Sequence, residues 1–382
     1  MKTATVTWIS YKNYGTFLQA FALQKAITSF GYENQIISDY PIVKRNIKNQ
    51  SSINWPRYKT AVSKGNLIHR LRRLHGEITY SMKAKKFLAS QAKFDYFEEK
   101  YLDVRNVKSV NDYYKLDDIF DCYVCGSDQI WSVLEHNFNE YFFLNFTSKY
   151  KIAYGPSIGQ QITDNDVKNR LKELLHDFSA VSCREEYSAE QLSEIIQKNV
   201  TWVCDPTLLI TRDMWMDLLN IKEKSAEKYL LCYFLENKSW YFNYARELAE
   251  YLKIKIMIIP SRIEFLYRSE TNKDPIGPRE FVALFDNAQF VLTDSYHGSI
   301  FSLLFNTQFI YLKRFNDGVN SQNIRIDSLF NYLGIQNAIM NEKQFQHSDL
   351  PCIDYGQVNE RVCEFRHSSL KYLKESFENV DN

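Results

Sequence analysis

The sequence predicts an α/β protein of two Rossmann-like domains facing across a cleft. Three observations lead there. Short apolar, β-branched runs alternate with helical patterns, the order that builds parallel sheets. The alternation comes as two consecutive series, separated by a helical and charged stretch at residues 212–228. The apolar runs of the first half end in glycine or polar residues, and parallel strands share a direction, so those ends open onto one rim. A length of 382 residues fits about two domains, and an apolar fraction of 45% supplies their cores. The formal net charge of +1 gives no argument for a nucleic-acid partner.

In the first series, residues 3–10 read as a strand and Asn13-Tyr14-Gly15-Thr16 as a turn. Thr16 is placed to cap a helix over 17–30, where Leu18, Phe21, Ala22 and Ile27 fall near helical spacing. Gly31 stops it, and 35–38 returns as a strand. The glycine turn lacks Gly-x-Gly-x-x-Gly, so the dinucleotide signal is weak. Further strands are expected at 121–125, 151–154, 180–183 and 201–204. They end in Gly126-Ser127-Asp128-Gln129, Gly155-Pro156-Ser157, Arg184-Glu185-Glu186 and Asp205-Pro206-Thr207. Asp205 reads as a turn residue at the domain junction.

Residues 41–93 interrupt this order. Thirteen Lys and Arg face Glu77 alone, a net +12, with Trp55, Tyr58, Leu71, Leu74, Tyr80 and Phe87 interleaved. The segment is either a solvated helical excursion or an amphipathic basic surface for anionic lipid or a lipid-linked phosphate. No nucleic-acid motif accompanies it.

After the helix-like 212–219 and the charged stretch 222–228, the second series predicts strands at 229–235, 254–259, 290–293 and 309–312, with helices at 240–252 and 278–286. Lys313-Arg314 follow the last strand. A helical stretch at 364–377 could pack back across both halves. The expected domains are 1–212, with the basic helical insertion at 41–93, and 213–382. Seven cysteines are scattered; Cys122, Cys125, Cys204 and Cys232 lie in apolar runs and read as buried thiols in a reducing cytosol. Cys122-x-x-Cys125 has no second pair or nearby histidine to make zinc convincing. There is no Walker loop, no signal-peptide pattern and no apolar run near the roughly 20 residues that span a bilayer. No cofactor is expected, and no residue is assigned to a metal.

The stretch 289–306 organises the rest. A buried strand ends in Asp294-Ser295-Tyr296-His297-Gly298-Ser299, and an apolar helix follows from Ile300. Histidine is the side chain suited to proton transfer near neutral pH, and a helix N-terminus after a strand offers N–H groups to an anion. Gly298 permits torsions or a close approach that a side chain would block. The plainer alternative is a polar turn with a satisfied histidine.

Six blocks together resemble the polysaccharide pyruvyl transferase family. They are Asn13-Tyr14-Gly15-Thr16 with Leu18-Gln19, Gly126-Ser127-Asp128-Gln129-Ile130-Trp131, Ser157-Ile158-Gly159, Arg184-Glu185, Asp205-Pro206 and Ser295-Tyr296-His297-Gly298. The resemblance spans about residues 3–315, in family order. It implies a glycosyltransferase-B-like fold of two Rossmann-type domains. It also implies transfer of pyruvate from phosphoenolpyruvate to a sugar of a lipid-linked bacterial surface polysaccharide, forming a ketal. Arg184 and His297 fall on the family's arginine and histidine, and Lys313 where basic residues follow the last core strand. Many members carry arginine two positions before the histidine, where this chain has Ser295; Arg184, Lys313 and Arg314 could supply that charge.

Ketal formation needs cations for a carboxylate and a phosphate, a general acid and a general base. The expected catalytic pair is His297 and Asp128, with capping of a following helix as the other role for Asp128. Donor contacts are expected from Arg184, Lys313, Arg314, Ser295, Gly298 and Ser299, and acceptor contacts from Asn13, Gly15, Thr16, Gln129 and Ser157. The expected partners are phosphoenolpyruvate, a lipid-linked saccharide and the surface of an anionic membrane, met peripherally from the cytoplasm. Two alternatives stay open: a glycosyltransferase on the same scaffold using a sugar nucleotide, motivated by Ser295, and a non-catalytic glycan-assembly protein.

Overall fold

The computed structural model describes residues 1–38, 67–132, 139–222, 227–272, 274–315, 323–346, 348 and 350–381. Two five-stranded parallel sheets organise the chain. The first holds β1 (Lys2–Val6), β2 (Glu33–Ile37), β3 (Val104–Arg105), β4 (Cys122–Cys125) and β5 (Tyr150–Ala153), in the order β3-β2-β1-β4-β5. A short parallel pair, β6 (Val181–Cys183) and β7 (Val200–Trp202), adjoins it where Ala153 N donates to Ala180 O at 2.9 Å. The second sheet holds β8 (Tyr229–Tyr233), β9 (Lys255–Ile258), β10 (Ala288–Thr293), β11 (Gln308–Leu312) and β12 (Ile339–Met340), in the order β12-β11-β10-β8-β9. Parallel strands covered on both faces need continuous apolar runs, and β4 is buried at all four residues. Cys122 and Cys125 are three residues apart in that strand and face opposite sides of the sheet, into separate core clusters, so they cannot close on one zinc ion.

Helix α1 (Tyr14–Ser29) follows β1. It begins three residues before the expected start, and Asn13, not Thr16, caps it. Asn13 is extended (φ −120, ψ 137) and its side-chain oxygen accepts from Gly15 N and Thr16 N. Thr16 lies inside the first turn, which frees its hydroxyl for another partner. Helix α2 (Leu67–Tyr101) runs through the basic segment. Residues 41–66 of that segment lie outside the described residues, as do the side chains of Arg70, Arg72 and Arg73. The C-terminal third of α2 is core: Phe94 and Phe97 pack edge-on against Phe17 and Phe21, with ring centroids 5.1 and 5.7 Å apart. Lys93 pairs with Glu280 at 2.9 Å, so it belongs to this inner face and not to a free basic surface.

The remaining helices are α3 (Asn165–Leu174), α4 (Glu186–Ile196), α5 (Pro206–Leu209), α6 (Arg212–Leu218), α7 (Ser239–Leu252), α8 (Pro278–Asn287), α9 (Tyr296–Leu304), α10 (Ile324–Leu333) and α11 (Tyr355–Asp381). Helix α9 starts four residues earlier than expected. Ser295 is its N-cap, with Oγ accepting from Gly298 N at 3.3 Å, which puts His297 in the first turn. Helix α11 is longer than the 364–377 expected, and it returns to the first half of the chain. Its Ser369 hydroxyl accepts from Cys204 N at 2.9 Å, and its Tyr372 hydroxyl donates to Ala153 O at 2.9 Å.

The carboxyl ends of the two sheets meet across α1. The Tyr14 ring stacks on Phe281 at 4.7 Å and meets Tyr233 edge-on at 5.7 Å. Its hydroxyl donates to Ile276 O at 3.2 Å.

Candidate active site

The centre of the site is Asp205, which is fully buried. It caps α5: Oδ1 accepts from Thr207 N at 3.0 Å and Thr207 Oγ1 at 2.6 Å, with Pro206 at the first helical position. Oδ2 accepts from Arg184 Nη1 at 2.5 Å. His297 Nε2 lies 3.3 Å from the same oxygen, close enough to pair but not aligned for a hydrogen bond. Burial alone would raise the Asp205 carboxyl; His297 and Arg184 outweigh it and hold it well below its ordinary value. Asp205 is therefore more than a junction turn. It joins a residue after β6 to one after β10, and so ties the two sheets at their carboxyl ends.

On the other side of His297 lies Gly15. A Cβ there would overlap the imidazole, Nδ1 first. Only glycine lets the ring rest against the start of α1. Gly298 is small for a different reason: a Cβ would overlap Thr293 Oγ1, the end of β10. Ser295 and Ser299 are held within the same cap, since Ser299 donates to Ser295 O from both N and Oγ. Asp294 accepts from Leu235 N at 2.6 Å and Glu236 N at 3.0 Å, fixing the loop after β8. Burial pushes its carboxyl up to about 6 against those two bonds and Arg314.

Asp128 sits after β4 with φ 64, in the left-handed region that few non-glycine residues adopt. Its Oδ2 accepts from Thr16 Oγ1 at 2.7 Å and its Oδ1 from Gln129 N at 2.9 Å. A turn follows, not a helix, so helix capping is not its role. Arg184 Nη2 is 4.0 Å away. Gln19, fully buried in α1, accepts from Ser127 N at 3.0 Å and donates to Thr7 Oγ1 at 3.0 Å, which fixes this turn against α1. Ser157 donates its hydroxyl to the buried Glu185 and its N–H to Asp128 O at 2.8 Å.

Three guanidinium groups gather beside these carboxylates. Arg184 is fully buried in its side chain, and its Cζ stands 4.7 Å from the Tyr296 ring centroid. Burial works against its charge, but Asp205 above all raises its pKa, so it stays ionised. Arg325, on α10, stands 5.8 Å from the same ring. Arg314 follows β11 and lies over Phe315. Buried guanidinium nitrogens without a hydrogen-bond partner remain on all three: Nε and Nη2 of Arg184, Nε of Arg314 and Nε of Arg325. Lys313 is half-buried, with its N–H on Met340 O at 2.8 Å. Among the described residues, no group of three or more His, Cys, Asp or Glu could hold a metal ion.

The residues gathered here, Arg325 apart, lie within the match to one sequence family. The model of that family, polysaccharide pyruvyl transferase, matches residues 13–314, most of the chain. The chain belongs to the polysaccharide pyruvyl transferase family. It is thus a pyruvate-transferring enzyme with a polysaccharide acceptor, on an α/β fold of two parallel sheets. No curated protein matches it. Among solved structures it is similar to a UDP-GlcNAc 2-epimerase from Neisseria meningitidis, at 13% identity over 97% of this chain and 94% of that one, TM-score 0.45. It is also similar to a putative UDP-N-acetylglucosamine 2-epimerase from Listeria monocytogenes, at 8% identity over 98% and 90%, TM-score 0.48. A third is MurG from Acinetobacter baumannii, at 10% identity over 98% of each chain, TM-score 0.39.

In this pyruvyl transferase the structure brings Asp128, Thr16, Arg184, His297 and Gly15 to one place, all of them expected from strand ends. Asn13, Ser295, Gly298 and Ser299 serve the two helix caps that position the others. Two residues do more than the sequence pattern indicates. Asp205 reads in the sequence as a turn residue at the domain junction, and here it also caps α5 and pairs with Arg184. Arg325 lies beyond the family match, on a helix the sequence pattern did not indicate.

Proposed function

We propose that this enzyme transfers pyruvate from phosphoenolpyruvate to a sugar of a lipid-linked bacterial surface polysaccharide, forming a cyclic ketal. One observation supports it most: a buried His297–Asp205–Arg184 set beside guanidinium N–H groups that lack acceptors. Such N–H groups suit a small donor with two anionic groups. In the reaction the methylene carbon of phosphoenolpyruvate takes a proton, leaving an oxocarbenium-like centre at C2. One sugar hydroxyl adds there and loses its proton. The C2–O bond to phosphate breaks, and a second hydroxyl closes the ring with loss of its own proton. His297 is the group that moves a proton, and Asp128 accepts one from a sugar hydroxyl. Arg184 and Arg314, with Lys313, hold the donor's charges. Asn13, Gly15, Thr16, Gln129 and Ser157 edge the acceptor side. The same reading divides the chain into units of 1–212 and 213–382, each built on one five-stranded sheet, and requires no cofactor.

Calorimetry with phosphoenolpyruvate, a sugar nucleotide or neither tests the donor. Phosphoenolpyruvate should bind, and Arg184→Ala should raise its dissociation constant at least about tenfold, roughly 1.4 kcal/mol. Binding of the sugar nucleotide alone would move the enzyme to a different donor. Unchanged donor affinity in a folded Arg184→Ala protein would remove Arg184 from the site.

A lipid-linked acceptor places the enzyme in the cytoplasm at the inner membrane face. No helix among the described residues is long and apolar enough to cross a membrane. Helix α2 offers a peripheral contact: Met82 and Leu88 are 66% and 64% exposed, with Lys85 exposed between them. Each basic residue near an anionic leaflet contributes about 1 kcal/mol, screened within a Debye length. Sedimentation with anionic vesicles should show salt-sensitive binding, weakened when Arg70, Arg72 and Arg73 are changed together to Glu, with donor affinity intact. A wild-type protein that stays in the supernatant at low salt would end the membrane proposal.

A further inference from the structure

We propose that Arg325 is a donor-binding residue, its guanidinium taking an anionic group of the donor where Ser295 provides none. The inference rests on the pyruvyl-transfer reading of the site, and goes beyond it in naming a residue outside the family match at 13–314. Four observations carry it.

First, Arg325 is 9% exposed, and its Nε is buried without a hydrogen-bond partner. A buried cation without a counter-charge is costly, and arginine cannot escape by losing its proton. Second, its neighbours make the cost worse. Burial first, then the positive charges of Arg184 and Arg314, lowers its pKa to about 10. Glu185 opposes this through its charge but forms no ion pair with Arg325, its carboxylate accepting instead from the Ser157 hydroxyl. Asp205 is engaged by Arg184, and Asp294 by two backbone N–H groups. No carboxylate among the described residues forms an ion pair with Arg325. Arg184 has its counter-charge in Asp205 and Arg314 is half-buried, whereas Arg325 is buried with no carboxylate pair among the described residues, a charge that an anionic ligand would complete.

Third, the place is right. Tyr296 lies between Ser295 and His297 in the chain, and both Arg184 and Arg325 stand near its ring, at 4.7 and 5.8 Å. An arginine at position 295 would start from the N-cap of α9; Arg325 reaches the same ring from α10. Fourth, the local fold holds it there. Arg325 sits between Ile324 and the buried Ile326 at the start of α10, with buried Ser328 and Leu329 on the next turn of the same face. Nothing in an ordinary amphipathic helix would place arginine on that face.

The test uses Arg325→Gln and Arg325→Met in the full chain, with calorimetry and thermal melting. Phosphoenolpyruvate should bind the wild type, and Arg325→Gln should weaken it at least tenfold. Without ligand, Arg325→Met should melt at or above the wild-type temperature, because an unpartnered buried charge has been removed. Wild-type affinity in Arg325→Gln overturns the proposal. So does a melting temperature well below wild type in both variants, which would make Arg325 a structural support. Inorganic phosphate and UDP serve as probes if phosphoenolpyruvate does not bind. Loss of either one's binding in Arg325→Gln would uphold the anion role while the phosphoenolpyruvate reading falls. A folded wild type that binds none of the three overturns both.

Discussion

Asp205→Asn is expected to lower stability by about 3–5 kcal/mol, the usual cost of removing one partner from a buried ion pair. The asparagine oxygen can still cap α5 through Thr207. Its amide, however, would point an N–H at Arg184 Nη1, now 2.5 Å from the carboxylate, and at His297 Nε2, now 3.3 Å away. Among the described residues Arg184 would keep Asp128, at 4.0 Å, as an ion-pair partner. The defect should be pH-dependent in a fixed sense. The Asp205 carboxyl is depressed below its ordinary 3.8, so its contribution is complete above that pH and is lost as the pH falls towards the folded value. Urea midpoints at pH 7 and pH 3 measure this: the wild type should lead clearly at pH 7, and the gap should narrow at pH 3. Turnover should fall too, by about 10²-fold, because His297 loses the carboxylate oxygen it faces at 3.3 Å. A difference under about 1 kcal/mol at pH 7 would mean that Arg184 finds its counter-charge elsewhere.

The sequence carried the parts of this site that are local. Strand ends at Gly126, Gly155, Arg184 and Asp294 follow from apolar runs closed by polar residues, and a parallel sheet puts such ends on one rim. Helix starts are less legible, because apolar periodicity marks a helix only from its first core-facing residue. Asn13 and Ser295 begin their helices with a side chain, three and four residues ahead of the expected starts. The contacts between halves were not legible at all. Gly15 and His297 are 282 positions apart, and nothing near either one says that an imidazole rests on that glycine. Arg325 was invisible for a related reason: helical periodicity marks a buried face by its apolar residues, and a charge among them reads as exposed.

His297→Asn carries the largest effect expected on chemistry. Asparagine keeps polarity and approximate size but cannot shuttle a proton, so phosphate release under saturating donor should fall about 10²–10⁴-fold. Donor affinity should stay within a few-fold, because the guanidinium groups remain. The reverse pattern, weak donor binding with turnover largely kept, would reassign His297 to phosphate contact. Gly15→Ala separates position from chemistry. It retains the imidazole but forces it off α1, since a Cβ at residue 15 overlaps the ring. A misplacement of about 1 Å can cost about 10²-fold, so Gly15→Ala should lose turnover through an intact histidine. If both variants work at the wild-type rate, the proton is moved elsewhere, and Asp128, a further carboxylate 4.0 Å from Arg184, becomes the group to change next.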